Sequence, residues 1–445
     1  MLKERKWEMK TISVNFDQEN GKIKPLHAVN NGPKGAKVNP QKGNFQAYEA
    51  ARIPYARNHD ASFNAGYGGE HTVDVHAIFP NFDADVNDPN SYDFVCTDKY
   101  TADIYSAGTK VFYRLGTKIE HGIKKYNTLP PKDFQKWAEI CEHIIAHYTE
   151  GWADGFAYDM EYWEIWNEPD QDPDDSPNKR TWGGTQAQFF DFYELVAKYL
   201  KKRFPHLKIG GPAVAFNEEW TAEFLAEMRR REVPMDFFSW HCYCVEPSAI
   251  LERAERFQKM LDENGYGHIE SILNEWNYVK DWGADFVESI LVIHGMKGAA
   301  FTASCILASQ DSPIDMLMYY DARTGTGFNG MFDFYTCRPL KGYYPFKMFS
   351  TLYEMGISVS CKSESEQVYV VAAKDAKNGA ACMLSYYTDD DTAGDIQLKV
   401  NLQGIEGKFE LYLLDEDHTD ELVDEVGTDF ELTLRRNSVV LLKHK

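Results

Sequence analysis

Two short segments of the chain, Asn167-Glu168-Pro169 and Asn274-Glu275-Trp276, each place a glutamate behind an asparagine at the end of an apolar run. The first run, EYWEIWNEPD over 161–170, reads as a strand rich in tryptophan. An unpaired charge in such surroundings is costly. A carboxyl group held among aromatics on a rigid element has its pKa raised, which suits a general acid. Two carboxyl groups facing each other across a cleft can divide the work of cleaving a glycosidic bond. One protonates the leaving oxygen, and the other attacks the anomeric carbon or activates water. Tryptophan and tyrosine nearby offer flat apolar surfaces to the carbon faces of sugar rings.

The elements that must position these groups follow from the hydrophobic pattern. Eight short apolar strands are expected, near PLHAVNN and at 53–57, 110–116, 162–168, 207–213, 236–243, 270–276 and 315–320. Amphipathic stripes such as Phe134, Trp137, Ile140, Cys141, Ile144 and Tyr148 separate several of them at helical spacing. Strands alternating with helices suggest an α/β fold, a parallel (β/α)8 barrel. A doubly wound sheet is the rival, but no GxGxxG or GxxxxGK[ST] loop is found. With strict alternation, Glu164, Trp166 and Glu168 share one face. Glu168 is then the last strand residue, and Pro169 stops the ladder at the mouth. Residues 21–355 are read as the barrel. From 356 the pattern turns to strands alone, at 380–388, 396–402, 408–414 and 430–442, as in a small β-sandwich domain over 356–445. Residues 1–20 carry an alternating segment at 11–16 that is expected to add a strand to it.

Composition narrows the partners. The chain of 445 residues is 43% hydrophobic and 14% aromatic, enough for a large core. Its net charge of −22 disfavours nucleic acid and anionic membrane. The opening MLKERKWEMK has no apolar stretch behind its basic residues, and no run of about 18 apolar residues follows, so a cytoplasmic location is expected. Eight cysteines without a CxxC pair fit reduced thiols, with Cys242 and Cys244 on one strand face. The acidic loops DADVND and DQDPDD lack the glycine and closing glutamate of a calcium loop.

IWNEP and NEW resemble the two catalytic signatures of clan A glycoside hydrolases. The resemblance implies that Glu168 is the acid/base and Glu275 the nucleophile of a retaining mechanism, with Asn167 on the sugar 2-hydroxyl. DFFSWHCY is similar to the clan's sixth strand and carries His241 and Tyr243, the latter implied to orient Glu275. YARNHD resembles the Arg-x-His of family 39, the β-xylosidases and α-L-iduronidases. It gives Arg57 as support for the nucleophile and His59 as a sugar contact. KPLHAVNNGP and the trailing sandwich are also similar to that family. Trp276 and Tyr320 are taken as aromatic surfaces of the sugar site, the latter where the clan usually has a tryptophan. VFYRLG puts Tyr113 and Arg114 near the mouth, where Arg114 is expected to pair with a neighbouring Asp, the alternative being a uronic acid carboxylate. HTVDVHAIFPNFDAD, with His71 and His76, reads as an insertion. The expectation is an exo-acting glycosidase, first on β-D-xylosides, then on other β-glycosides such as β-galactosides, or on α-L-iduronides. Neither a metal nor an organic cofactor is expected, and the sandwich and insertion offer surface for a homo-oligomer. A non-catalytic sugar-binding barrel and a metal-dependent lyase or isomerase are the other readings.

Overall fold

The computed structural model describes residues 9–35, 37–38, 43–61 and 72–445. His71 lies outside them. Strand β1 spans Lys10–Lys22, and eight parallel strands then close into a barrel. These are β2 (Ala28–Asn30), β3 (Tyr55–Arg57), β4 (Lys110–Leu115), β5 (Tyr162–Ile165), β6 (Lys208–Val214), β7 (Phe237–Cys244), β8 (Glu270–Tyr278) and β9 (Met316–Tyr319). The ring closes where Val29 pairs with Tyr319.

Helices cover the barrel because their stripes need burial. Phe134–Thr149 buries Trp137, Ile140, Cys141, Ile144 and Tyr148, and the Asp133 carboxylate caps its start by accepting from the Lys136 N–H. Gln186–Arg203 opens with a capping box between Thr185 and Gln188. Inside the barrel, Ala28, Phe112, Tyr162, Phe237, Ile272, Met316 and Met318 form a closed apolar floor. Polar side chains are thereby confined to the layers above it, toward the C-terminal ends of the strands.

Two interruptions of the strand pattern decide which residues face inward. On β8 the pairing with both neighbours shifts between Leu273 and Trp276, a β-bulge. Asn274 and Glu275 both point into the barrel, and Trp276 is turned out onto Phe301 and Tyr319. On β5 the ladder ends at Ile165, three residues before Glu168. Trp166 and Glu168 then adopt left-handed backbone, φ 73° and 50°. The expected alternation through Glu168 is therefore broken. Trp166 packs outward on Trp137, Trp182 and Phe192.

The remaining strands are β10 (Ile357–Ser363), β11 (Val368–Lys374), β12 (Ala380–Tyr386), β13 (Ile396–Gln403), β14 (Phe409–Leu414), β15 (Thr419–Val426), β16 (Asp429–Leu434) and β17 (Ser438–His444). The run expected at 430–442 is two strands, reversed at Asn437, whose φ is 56°. With β1 they make one nine-stranded sheet, in which β1 is antiparallel to β10 and parallel to β13. Phe16 on β1 stacks on Phe409 on β14, five strands away in sheet order, so the sheet folds over itself into a sandwich. Strand β12 is buried on both faces. Ala380, Cys382 and Leu384 fill the sandwich, while Ala381 and Met383 join the barrel's outer core. The helix Met296–Ala308, MKGAAFTASCILA, lies between the two bodies and is buried almost all round. Its small residues allow a close approach, including a Ser304 to Ser385 hydroxyl bond of 2.9 Å.

Phe16→Ala removes the ring that bridges the two layers of the sandwich. Large-to-small changes at such sites cost about 3 kcal/mol. Scanning calorimetry should show an earlier unfolding transition, and an unchanged thermogram would contradict this packing.

Candidate active site

Arg57, at the end of β3, is wholly buried. Its Nε donates to Glu164 Oε2 at 2.7 Å, and its Nη1 to Glu275 Oε1 at 2.7 Å and Asn30 Oδ1 at 3.2 Å. Its Nη2 donates to Asn167 Oδ1 at 2.6 Å. Glu164 also accepts from Ser239 Oγ at 2.6 Å and from Asn274. Each buried charge therefore has several partners, as burial demands.

Glu275 stands above this layer. Its second oxygen accepts from the Tyr243 hydroxyl at 2.9 Å. Burial pushes the Tyr243 hydroxyl far up, so it remains a donor. Burial raises the Glu275 carboxyl as well, and the Arg57 guanidinium opposes part of that rise. His59 adds a third contact. Its Nδ1 accepts from Arg114 Nε at 3.1 Å, which leaves the proton of a neutral ring on Nε2. That atom lies 3.5 Å from Glu275 Oε1.

Glu168 is held by its main chain rather than by a ladder. Its N–H donates to Ala213 O at 2.9 Å, and its carbonyl accepts from Thr181 Oγ1 at 2.6 Å. Left-handed backbone is uncommon in a glutamate, and such strain gathers at functional sites. Burial pushes its carboxyl up to about 8, helped by the charge of Asp170 and opposed by Arg57. Glu168 Oε1 and His241 Nδ1, 2.8 Å apart, share a proton. Burial lowers the His241 pKa, so the ring is neutral. Oxygens of Glu168 and Glu275 lie within 4.8 Å of each other.

The two glutamates open into a cavity of about 650 Å³. Tyr243, Tyr320 and Phe328 form its wall, and Trp282 and Phe216, 62% and 55% exposed, stand at its rim. Asn167, His59, Asp60, Arg180 and Arg253 also line it. The Tyr320 hydroxyl donates to Asp60 Oδ2 at 3.1 Å.

The structure thus brings Glu168, Glu275, Asn167, Tyr243, His241, Arg57, His59 and Tyr320 into one cluster, with Arg57 below the cavity floor. Trp276 does not belong to it. The bulge at Asn274 shifts the phase of β8, so Trp276 serves the barrel–helix core. Arg114 is also away from the mouth, buried against Asp74 at 2.5 Å, and Tyr113 stacks on Trp163 behind the barrel. His76 contacts Asn127 at 2.9 Å, outside the cavity lining. Sequence reasoning gave no role to Glu164, although it stands in the same tryptophan-rich run at an inward phase. Phe216, Trp282, Phe328, Arg180 and Arg253 come from loops and a helix that no local motif marks.

Glu168, His241 and Glu275 are the one group of such side chains, among the described residues, with metal-ligand spacing. Their oxygens and Nδ1 are already engaged by Arg57, Tyr243 and one another. The Arg57 guanidinium, 2.7 Å from Glu275, would repel a divalent ion. The acidic loop at 170–175 is used otherwise. Asp170 accepts the N–H groups of Ala215, Phe216 and Asn217, and Asp172 binds Arg180.

A sequence model of the Glycosyl hydrolases family 39 matches residues 70–423. The chain belongs to this family. A β-xylosidase of Geobacillus stearothermophilus is 27% identical over 175 residues, 34% of this chain and 33% of that relative. A β-xylosidase of Caldicellulosiruptor saccharolyticus is 23% identical over 357 residues, 73% of this chain and 70% of the other. Among solved structures, a glucosidase from Croceicoccus marinus superposes with a TM-score of 0.79 at 22% identity, covering 98% of both chains. A monomeric β-xylosidase from Caulobacter crescentus CB15 gives 0.71 at 16%, covering 98% and 99%. These structural likenesses show the fold, a barrel with its sandwich.

Two outcomes follow from the site. If Glu168 must carry a proton, kcat/KM falls as pH rises through about 8, and this limb disappears in Glu168→Ala. For Trp276→Phe, stability drops by roughly 2 kcal/mol while KM stays within about twofold, because the ring touches core and not substrate. A large rise in KM would return Trp276 to the sugar site.

Proposed function

We propose that this family 39 chain is a retaining, exo-acting glycosidase that releases one sugar from small glycosides, with β-D-xylosides as the first substrate class. The observation that supports the reading is the closeness of the two carboxyl groups, one oxygen of Glu168 lying within 4.8 Å of one of Glu275. Retaining enzymes hold their carboxyl groups about 5–5.5 Å apart, and inverting ones about 6.5–9.5 Å, to admit a water.

In the first step Glu275 attacks the anomeric carbon. The bond to the leaving oxygen breaks as that oxygen takes the proton of Glu168, and a glycosyl ester forms on Glu275. In the second step Glu168, now a carboxylate, takes a proton from water. The hydroxide attacks the anomeric carbon and the ester bond to Glu275 breaks. Two inversions give net retention. Arg57 and Tyr243 offset the charge on Glu275 when it departs. Arg57 also occupies Asn167 Oδ1, which leaves the Asn167 amide donors for the sugar 2-hydroxyl. The names of the two β-xylosidase relatives support xylose, and the glucosidase neighbour is a reason to include a glucoside in the test.

The test is a panel of nitrophenyl β-xyloside, β-galactoside, β-glucoside, α-L-arabinoside and α-L-iduronide. Glu275→Ala should lose at least about a thousandfold in kcat on the best substrate. Proton NMR of early product should show the starting anomer. First release of the opposite anomer would replace retention by inversion. Activity should survive chelation, and its loss would instead favour a metal site at Glu168, His241 and Glu275.

A further inference from the structure

The lining of the cavity differs around its two glutamates. Around Glu275 stand Tyr243 and His59, at 2.9 and 3.5 Å from its oxygens. Around Glu168 the lining is different. Ala215 and Phe216, after β6, donate their N–H groups to Asp170, two residues from Glu168. Arg253, after β7, donates to the carbonyl of His241, whose ring bonds Glu168. Arg180, after β5, lines the same cavity. In the proposed mechanism Glu168 delivers its proton to the leaving oxygen, so the residues gathered around Glu168 are the ones a leaving group would meet.

The two cations among them are not equivalent. Arg180 is saturated by Asp172, with Nη2 at 2.8 Å from Oδ1 and Nε at 3.1 Å from both oxygens. Arg253, in the helix Pro247–Glu263, spends only Nη1, which donates to the His241 carbonyl at 2.9 Å. Among the described residues it has no carboxylate partner. One turn further on, Arg256 is paired with Glu218 at 2.9 Å, so the neighbouring carboxylate is already taken. In a chain with a net charge of −22, a half-buried guanidinium left without a counter-charge inside a cavity needs an explanation. Its remaining N–H groups keep the fork geometry that matches a carboxylate.

We propose that Arg253 makes the leaving-group side of this cavity selective for a carboxylate-bearing aglycone, such as a uronic acid in the position next to the released sugar. The inference rests on the glycosidase reading. The aglycone carboxylate lies against the free edge of Arg253, and Phe216 covers the apolar face of the same group. Binding there orients the leaving oxygen toward Glu168.

The experiment compares two nitrophenyl glycosides of the sugar found by the panel, one with a ring carboxylate and one with the isosteric carboxamide. Both are assayed with the full chain and with Arg253→Gln and Arg253→Lys. The wild type should prefer the carboxylate by about tenfold in kcat/KM, the scale of a charge-assisted contact at a partly open site. Arg253→Gln should bring the ratio close to one, and Arg253→Lys should keep part of it. Raising the salt concentration should lower the wild-type ratio by screening. A purely structural role, through the His241 carbonyl, would slow both substrates alike and leave the ratio unmoved. A wild-type ratio of one or less, or a ratio unchanged in Arg253→Gln, overturns the inference and leaves the glycosidase reading intact. A silent panel, with neither substituted glycoside cleaved, removes both.

Discussion

A guanidinium sealed inside the barrel sets the terms for everything above it. Arg57 has no water to fall back on, and an unpaired buried ion costs several kcal/mol. Its donors therefore need acceptors at fixed places. Glu164 supplies one from β5, Glu275 one from β8, and Asn30 and Asn167 the others. One cation between two carboxylates leaves an excess negative charge, which Ser239, Asn274 and Tyr243 stabilise by donating to it. Five strands and the β5 loop are fixed to one another through this layer. The Glu275 carboxyl group is aimed by the same contacts that satisfy the arginine.

That arrangement is reached only by departing from regular strands. Without the extra residue at Asn274, period-two alternation from Ile272 would send Glu275 out into the helices and bring Trp276 in. With it, Asn274 serves Glu164 and Glu275 serves Arg57. On β5, left-handed backbone at Trp166 and Glu168 does the corresponding work, turning an indole into the outer core and a carboxyl into the cavity. Such conformations cost about 1–3 kcal/mol each and persist where the surroundings fix them. The packing of Trp166 on Trp137, Trp182 and Phe192 and the main-chain bonds of Glu168 supply that fixing.

The sandwich is integral to the barrel rather than appended to it. A strand from the chain's start lies between two from its end, and the helix Met296–Ala308 is buried by both bodies. Tyr278, two residues after the bulged segment, donates its hydroxyl to Asp389 beyond β12 at 2.7 Å. The strand that bears Glu275 is thus tied to the sandwich as well as to the barrel.

The sequence by itself determined most of the elements and the pair of glutamates that meet at the cavity. Helical stripes and short apolar runs are local signals, and each follows from the need to bury one face. Glu168, Glu275 and Asn167 stand in motifs compact enough to read without a fold. Tyr243 and His241 share one phase of β7, and the structure keeps that phase. Tertiary structure alone decided the rest. Trp276 carries the same local signal as a sugar-facing tryptophan, and only the β8 bulge sends it to the core. An aspartate partner is expected for Arg114, but only the fold shows that it is Asp74, forty positions away. Phe216, Trp282, Phe328 and Arg253 reach the cavity from segments scattered over more than a hundred residues. Side-chain facing depends on strand phase and loop closure, and both are settled by contacts between segments that lie far apart in the chain.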